Sequence, residues 1–287
     1  MKKRIVNIAL VIALLCTCFA GTYAYLFDTD SATNTMTVGK VTIEQYEFER
    51  AKNEDGTYKT KLIDEQTSYV LTDFPQDRPL YPIIGDPHGV PSGRGWPPAG
   101  WDAIPVRMSQ KDSYGGMQVF AGKNAQDKFV IVGNTGNTSA YVRTLVAIEV
   151  NDGDEELIKT SYHTTWKPES GFKAKINDKF YYVYEFVYAG GQLSDDSWRH
   201  ENGVLPAGDT TYPSLAQVYI KSVATNEDCA ALAGTDGKVD ILVLSQAVQV
   251  EGWDAADGKT VALTALDTAF GDVNEANVAE WFKDLLK

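Results

Sequence analysis

The stretch from Phe129 to Val150, F-V-I-V-G-N-T-G-N-T-S-A-Y-V-R-T-L-V-A-I-E-V, decides the fold class. Phe129-Val130-Ile131-Val132 is a short apolar run. Gly133-Asn134-Thr135-Gly136-Asn137 is dense in residues that accept turn geometry. Ala140 to Val150 then runs long and rich in β-branched side chains, as strands prefer. Strand, turn, strand is the plain reading. No helical pattern follows the glycines, so the turn is not a nucleotide cradle.

Working outward, the same texture recurs. Met36 to Glu44 alternates apolar and polar residues, and Lys179 to Tyr188 is aromatic and β-branched. Ala216–Val223 and Val239–Val250 read as further strands. Asp55-Gly56 and Asp236-Gly237 fall where turns are needed. The pattern predicts an all-β fold, a jelly-roll-like β-sandwich. Helix is scarce. A short one is expected over Asp228–Ala233 with Asn226 as its cap, and a terminal one over 274–287. In the latter, Val278, Trp281, Phe282 and Leu285 recur at helical spacing, an apolar stripe suited to docking on the sandwich.

The N-terminus has its own logic. Lys2-Lys3-Arg4 precedes an apolar run from Ile5 to Ala20, and Thr22-Tyr23-Ala24 closes it with small residues at the −3 and −1 places. Residues 1–24 therefore read as a secretory signal cut between Ala24 and Tyr25, leaving one domain over 25–287. Cleavage removes Cys16 and Cys18, so Cys229 alone remains and no internal disulfide can form. Stability must then come from an ordinary core, for which the chain is long enough. The cut also leaves 23 basic against 39 acidic side chains. So acidic a surface disfavours nucleic acid and anionic membrane and favours solubility outside the cell.

Residues 74–116 break the strand pattern. Eight prolines, Pro75 through Pro105, sit among glycines there, and such a segment cannot sustain a ladder, so it reads as a loop insertion. Its Tyr81, Trp96 and Trp101 form a candidate contact surface. Chemistry is thin elsewhere. His88, His163 and His200 lack the helical glutamate and i, i+4 partner of a zinc protease and read as solvated surface groups. No catalytic residue and no metal site is expected. Calcium is the one cofactor the composition admits, at Asp28–Asp30, Asn151–Glu156 or Asp254–Gly258, and none of these has the spacing of an EF-hand loop.

Taken together, three segments resemble a known family. T-Y-A-Y-L-F-D-T-D-S-A-T-N-T-M-T-V-G-K-V-T-I-E at 22–44, V-I-V-G-N-T-G-N-T-S-A-Y-V-R at 130–143 and Q-A-V-Q-V-E-G-W at 246–253 are similar to the TasA and camelysin family. These are exported proteins of Gram-positive bacteria processed by a SipW-like signal peptidase. Ala262–Phe270 resembles the short helix that follows in many members, whereas the proline-rich insertion and the terminal helix match no family pattern. The resemblance implies a jelly-roll fold and residence at the cell surface or in the biofilm matrix. It also implies self-association into fibres when the freed N-terminal segment adds as a strand to a neighbour. The candidate donor runs from Tyr25 to about Gln45 and includes Thr33, Met36, Val38, Val41 and Ile43. Strand addition would draw affinity from main-chain bonds and specificity from alternate side-chain pockets. Two other readings compete. One is an adhesin or ligand-binding module using the 85–103 loop. The other is a camelysin-like metalloprotease, for which no zinc motif is present.

Overall fold

A computed structural model of the chain describes residues 35–63, 66–74, 126–151, 157–192, 198–220, 225, 228 and 239–283. The loop residues Tyr81, Trp96 and Trp101, the cleavage pair Ala24 and Tyr25, and Thr33 lie outside that set. So do His88, Cys229, the Asp236-Gly237 turn, and the acidic runs at 28–30 and 152–156.

Two five-stranded sheets face each other, giving the β-sandwich expected. The first runs β1 (Thr35–Val38), β14 (Ile241–Gln249), β7 (Ala140–Val150), β10 (Lys179–Tyr188), β9 (Trp166–Ile176). The second runs β5 (Leu71–Asp73), β2 (Ile43–Arg50), β6 (Gln126–Asn134), β13 (Leu215–Ile220), β8 (Ile158–Ser161). Between them lies one core of alternate side chains: Val130 and Val132 meet Val142, Val146, Phe186 and Val243. Each such side chain, fully buried, contributes roughly 1.5–3 kcal/mol. The sheets are also tied by polar atoms, because the buried Ser245 hydroxyl donates to Gln45 Oε1 at 2.8 Å.

The opening stretch forms β6, a turn and β7, and the turn does more than reverse the chain. Asn134 is buried; its amide nitrogen donates to the carbonyls of Thr138 (2.8 Å) and Leu205 (3.1 Å). Its side-chain oxygen accepts from the Gly136 amide at 3.1 Å. Gly136 in turn donates to the Thr42 carbonyl at 3.0 Å, and a Cβ there would meet the Thr42 nitrogen at 2.9 Å. Glycine is required because the turn closes directly on the chain that crosses between the sheets.

One expectation is corrected, and one strand is added that the sequence reading did not contain. Met36 to Glu44 is not one strand: β1 ends at Val38, the chain turns at Gly39 (φ +88°), and β2 begins at Ile43 in the opposite sheet. β9 was hidden in the sequence by Pro168 and Gly171, which a central strand would not accept. It is an edge strand, where proline and lysine are tolerated. Near residue 228, Thr225 and Asp228 bond reciprocally, each side chain accepting from the other's backbone amide, while Asn226, the expected cap, lies outside the described residues. Most of that expected helix lies outside the described residues.

Asn134→Ala is expected to lower stability by about 2–3 kcal/mol, since it removes three hydrogen bonds made by one buried side chain across the turn. Asn137→Ala, at an exposed position in the same turn, should change stability by no more than about 0.5 kcal/mol. Urea denaturation of the two variants checks this.

Candidate functional site

The first strand is the most unusual part of the sandwich. Among the described pairings, β1 on β14 is the one parallel pair, with Thr35, Met36, Thr37 and Val38 opposite Ser245, Gln246, Ala247 and Val248. Thr37 points inward and is 9 % exposed. Met36 and Val38 point to the outer face. Met36 packs on the cluster that contains Leu145, Leu244, Val278 and Phe282. Val38 packs on the cluster that contains Tyr141, Val187, Val248, Ala265 and Leu266. Val41 and Ile43, beyond the Gly39 turn, drop into the central core instead. Of the expected donor residues, then, the structure places Met36 and Val38 in the edge strand and assigns Val41 and Ile43 to the body.

The outer face of this sheet is roofed by α1 (Val261–Phe270) and α2 (Glu275–Phe282). Both start with side-chain caps: Thr260 accepts from the Leu263 amide and Asn274 from the Asn277 amide. α2 is the expected terminal helix, with Val278 and Phe282 fully buried and Trp281 packed beside them. Leu285 lies outside the described residues.

Beneath the roof sits Arg143, whose side chain has no exposure. Its Nε donates to Gln246 Oε1 at 2.6 Å, and its terminal nitrogens donate to Glu185 Oε1 (3.2 Å), Asp267 Oδ1 (2.8 Å) and the Gly271 carbonyl (2.9 Å). The rings of Trp281 and Phe270 flank the guanidinium at 5.3 and 5.9 Å. Because Arg143 can only donate, it fixes the Gln246 amide with its oxygen inward. The Gln246 nitrogen then faces β1 and donates to the sulfur of Met36 at 3.3 Å. Arg143 thus links α1 to the edge strand through one side chain. Burial pushes the Arg143 guanidinium below its usual range, against the pull of Glu185 and Asp267. Burial raises the Glu185 carboxyl, against Arg143 and the Ser170 hydroxyl.

The second sheet repeats the device on its own outer face. Arg50, also without exposure, holds Asp127 through two bonds of 2.6 and 2.8 Å. Tyr58 and Tyr69 cover it at 3.9 and 4.9 Å. Tyr69 comes from the hairpin of β3 (Thr60–Ile63) and β4 (Gln66–Tyr69).

His163 and His200 are not solvated surface groups. The His200 side chain is 5 % exposed and sits between the Tyr188 hydroxyl (2.7 Å) and Asp209 (2.9 Å). His163 stacks on Tyr212 with centroids 4.1 Å apart and accepts from the Thr165 amide. Both groups are built into the packing, and Tyr188 is itself fully buried. Among the described residues, no three His, Cys, Asp or Glu side chains come together as a metal site would require. Asp254–Gly258 is an exposed turn. A shallow cavity of about 340 Å³ lies beside the start of α1, lined by Tyr141, Lys167, Glu169, Val187, Asn202 and Val261. Lys167 and Glu169 pair with each other there at 2.8 Å.

No family model, curated protein or solved structure matches this chain.

Arg143 and Gln246 went unnoticed in the sequence, although both interrupt apolar strands at outward positions, a signal of a covered face. Replacing Arg143 by Leu leaves the buried Glu185 carboxyl without the cation it pairs with, while Asp267 keeps Lys259, and should cost about 3–5 kcal/mol. Glu185→Gln keeps an acceptor for Arg143 and should cost far less. Because the folded-state pKa of Glu185 is raised, the native state holds that proton more tightly than the unfolded chain does. Its contribution therefore declines as pH rises from the ordinary glutamate value through the raised one. Stability measured between pH 4 and 7 should show Glu185→Gln gaining on the parent as pH increases.

Proposed function

We propose that this chain is an exported structural protein of the cell surface or extracellular matrix, and that it self-associates by exchange of its first strand. The observation that carries this reading is the edge of β14. Over Ile241–Gln249 that strand has no charged residue, and among the described residues β1 alone covers its free side. A long uncharged edge is a template for another chain unless something pairs with it. The opposite edge of the same sheet, β9, carries Lys167, Pro168, Lys173 and Lys175, which blunt it against pairing. One edge is defended by composition, and the other, among the described residues, by the four of β1.

The pairing of those four residues is modest in strength. Each ladder bond nets about 0.5–1.5 kcal/mol, so exchange for an identical strand from a second copy costs little at equilibrium. β1 lies outside the Gly39 turn, while Val41 and Ile43 anchor the body beyond it, so the strand can leave with the core intact. A head-to-tail exchange does not close on itself and yields a filament. The likeness of residues 22–44, 130–143 and 246–253 to the TasA and camelysin family supports export through a SipW-like peptidase and assembly of this kind. The strong acidic surplus would suppress unspecific association. On this reading the protein is not an enzyme and needs no cofactor.

Deleting residues 25–38 from the exported form is expected to abolish filaments under negative-stain electron microscopy while circular dichroism still shows a folded sandwich. Filaments unchanged by the deletion contradict the reading.

A further inference from the structure

Met36 presents a detail that generic strand pairing does not require. Gln246 is fully buried, and Arg143 takes its oxygen, so its nitrogen must be satisfied from the side where β1 lies. The acceptor it finds is a thioether, a weak one. Two positions along, Val38 shares its apolar cluster with Ala262, Ala265 and Leu266 of α1. The same helix is fastened to Arg143 through Asp267 and through the Gly271 carbonyl at its end. Lys259, just ahead of α1, holds Asp267 and Asp272 from the solvent side. Loss of β1 would leave the Gln246 amide unpaired and uncover part of the cluster that seats α1. Undocking of α1 would remove two of the partners that hold Arg143, and Arg143 is what orients Gln246.

We infer that the seat of β1 is a selective slot, in which Gln246 reads the sulfur of Met36 and helix α1 governs whether the slot holds its own strand or residues 35–38 of a second copy. The inference rests on the strand-exchange reading and adds to it a selectivity element and a control element. Strand and helix occupy the slot cooperatively, since each satisfies groups that the other's departure exposes. An undocked α1 releases β1 and leaves a slot open to another chain; a docked α1 retains it.

Hydrogen exchange on the dilute, monomeric chain tests the control element. Ala265→Asp places a carboxylate in the buried face of α1. Amides of residues 36–38 should then exchange at least about tenfold faster, while those of 144–148 in β7 stay as slow as in the parent. If β7 loses protection as well, Leu266→Ala, a milder lesion in the same face, decides by the same comparison. Unchanged protection of β1 with an undocked α1 overturns the coupling. The selectivity element is read with a labelled peptide of residues 33–42 added to the α1 variant. The natural peptide should bind about threefold tighter than one with norleucine at position 36, which keeps the shape and lacks the sulfur. Equal affinity overturns the role of Gln246. Coupled exchange in a protein that never forms filaments would instead overturn the assembly reading and leave the coupling in place.

Discussion

Each sheet of this sandwich hides a fully buried arginine on its outer face, and the rest of the architecture is arranged to keep both charges paired. An uncompensated guanidinium in such a setting costs several kcal/mol, so a cover must be present that both excludes water and supplies acceptors. Over Arg143 the cover is α1 and α2, with Asp267 and the Gly271 carbonyl as the helical acceptors and Glu185 and Gln246 from the sheet. Over Arg50 it is Tyr58 and Tyr69, with Asp127 as the anion and Gln217 donating to that same carboxylate. The C-terminal helices are therefore integral to the first sheet. Their removal would expose apolar surface and take two of the four acceptors from Arg143.

That constraint makes the sheet uneven. β7, β10 and β14 are paired on both sides, whereas among the described residues β1 has one neighbour and four residues. Local stability follows local contact, so β1 belongs at the low end of the range even though it lies against the fully paired β14. A weak strand on an uncharged edge is a liability in a protein that must remain single. In one that assembles, it is a joint. The coupling through Gln246 gives that joint a dependence on the helices that a bare edge would not have.

Much of this was legible in residue order. The 129–150 stretch announced strand, turn and strand, and β7, β10, β13 and β14 fall close to where β-branched and aromatic runs placed them. α2 followed from the spacing of Val278, Trp281 and Phe282. What failed has physical reasons. β9 carries proline, glycine and lysines because it is an edge, and those residues are the signals that ordinarily end a strand. The break at Gly39 was passed over although the alternation slips by one place there, from Met36 and Val38 to Val41 and Ile43, and the two halves serve opposite sheets. His163 and His200 looked solvated because their neighbours in sequence are polar, but their partners Tyr212, Tyr188 and Asp209 come from other elements or from farther along the chain. Arg143 and Gln246 meet across 103 residues, a pairing that no local pattern encodes.

Exchange of the first strand can be observed directly, because Thr37 and Ala247 face each other in register. One chain would carry Thr37→Cys and the other Ala247→Cys, each with Cys229→Ser, and the two would be mixed, allowed to assemble and oxidised. A single chain bearing both cysteines serves as the internal control. Strand exchange requires disulfide-linked pairs between the two chains in the filament fraction on a non-reducing gel. Filaments containing only uncross-linked chains, alongside a control that oxidises internally, would contradict it.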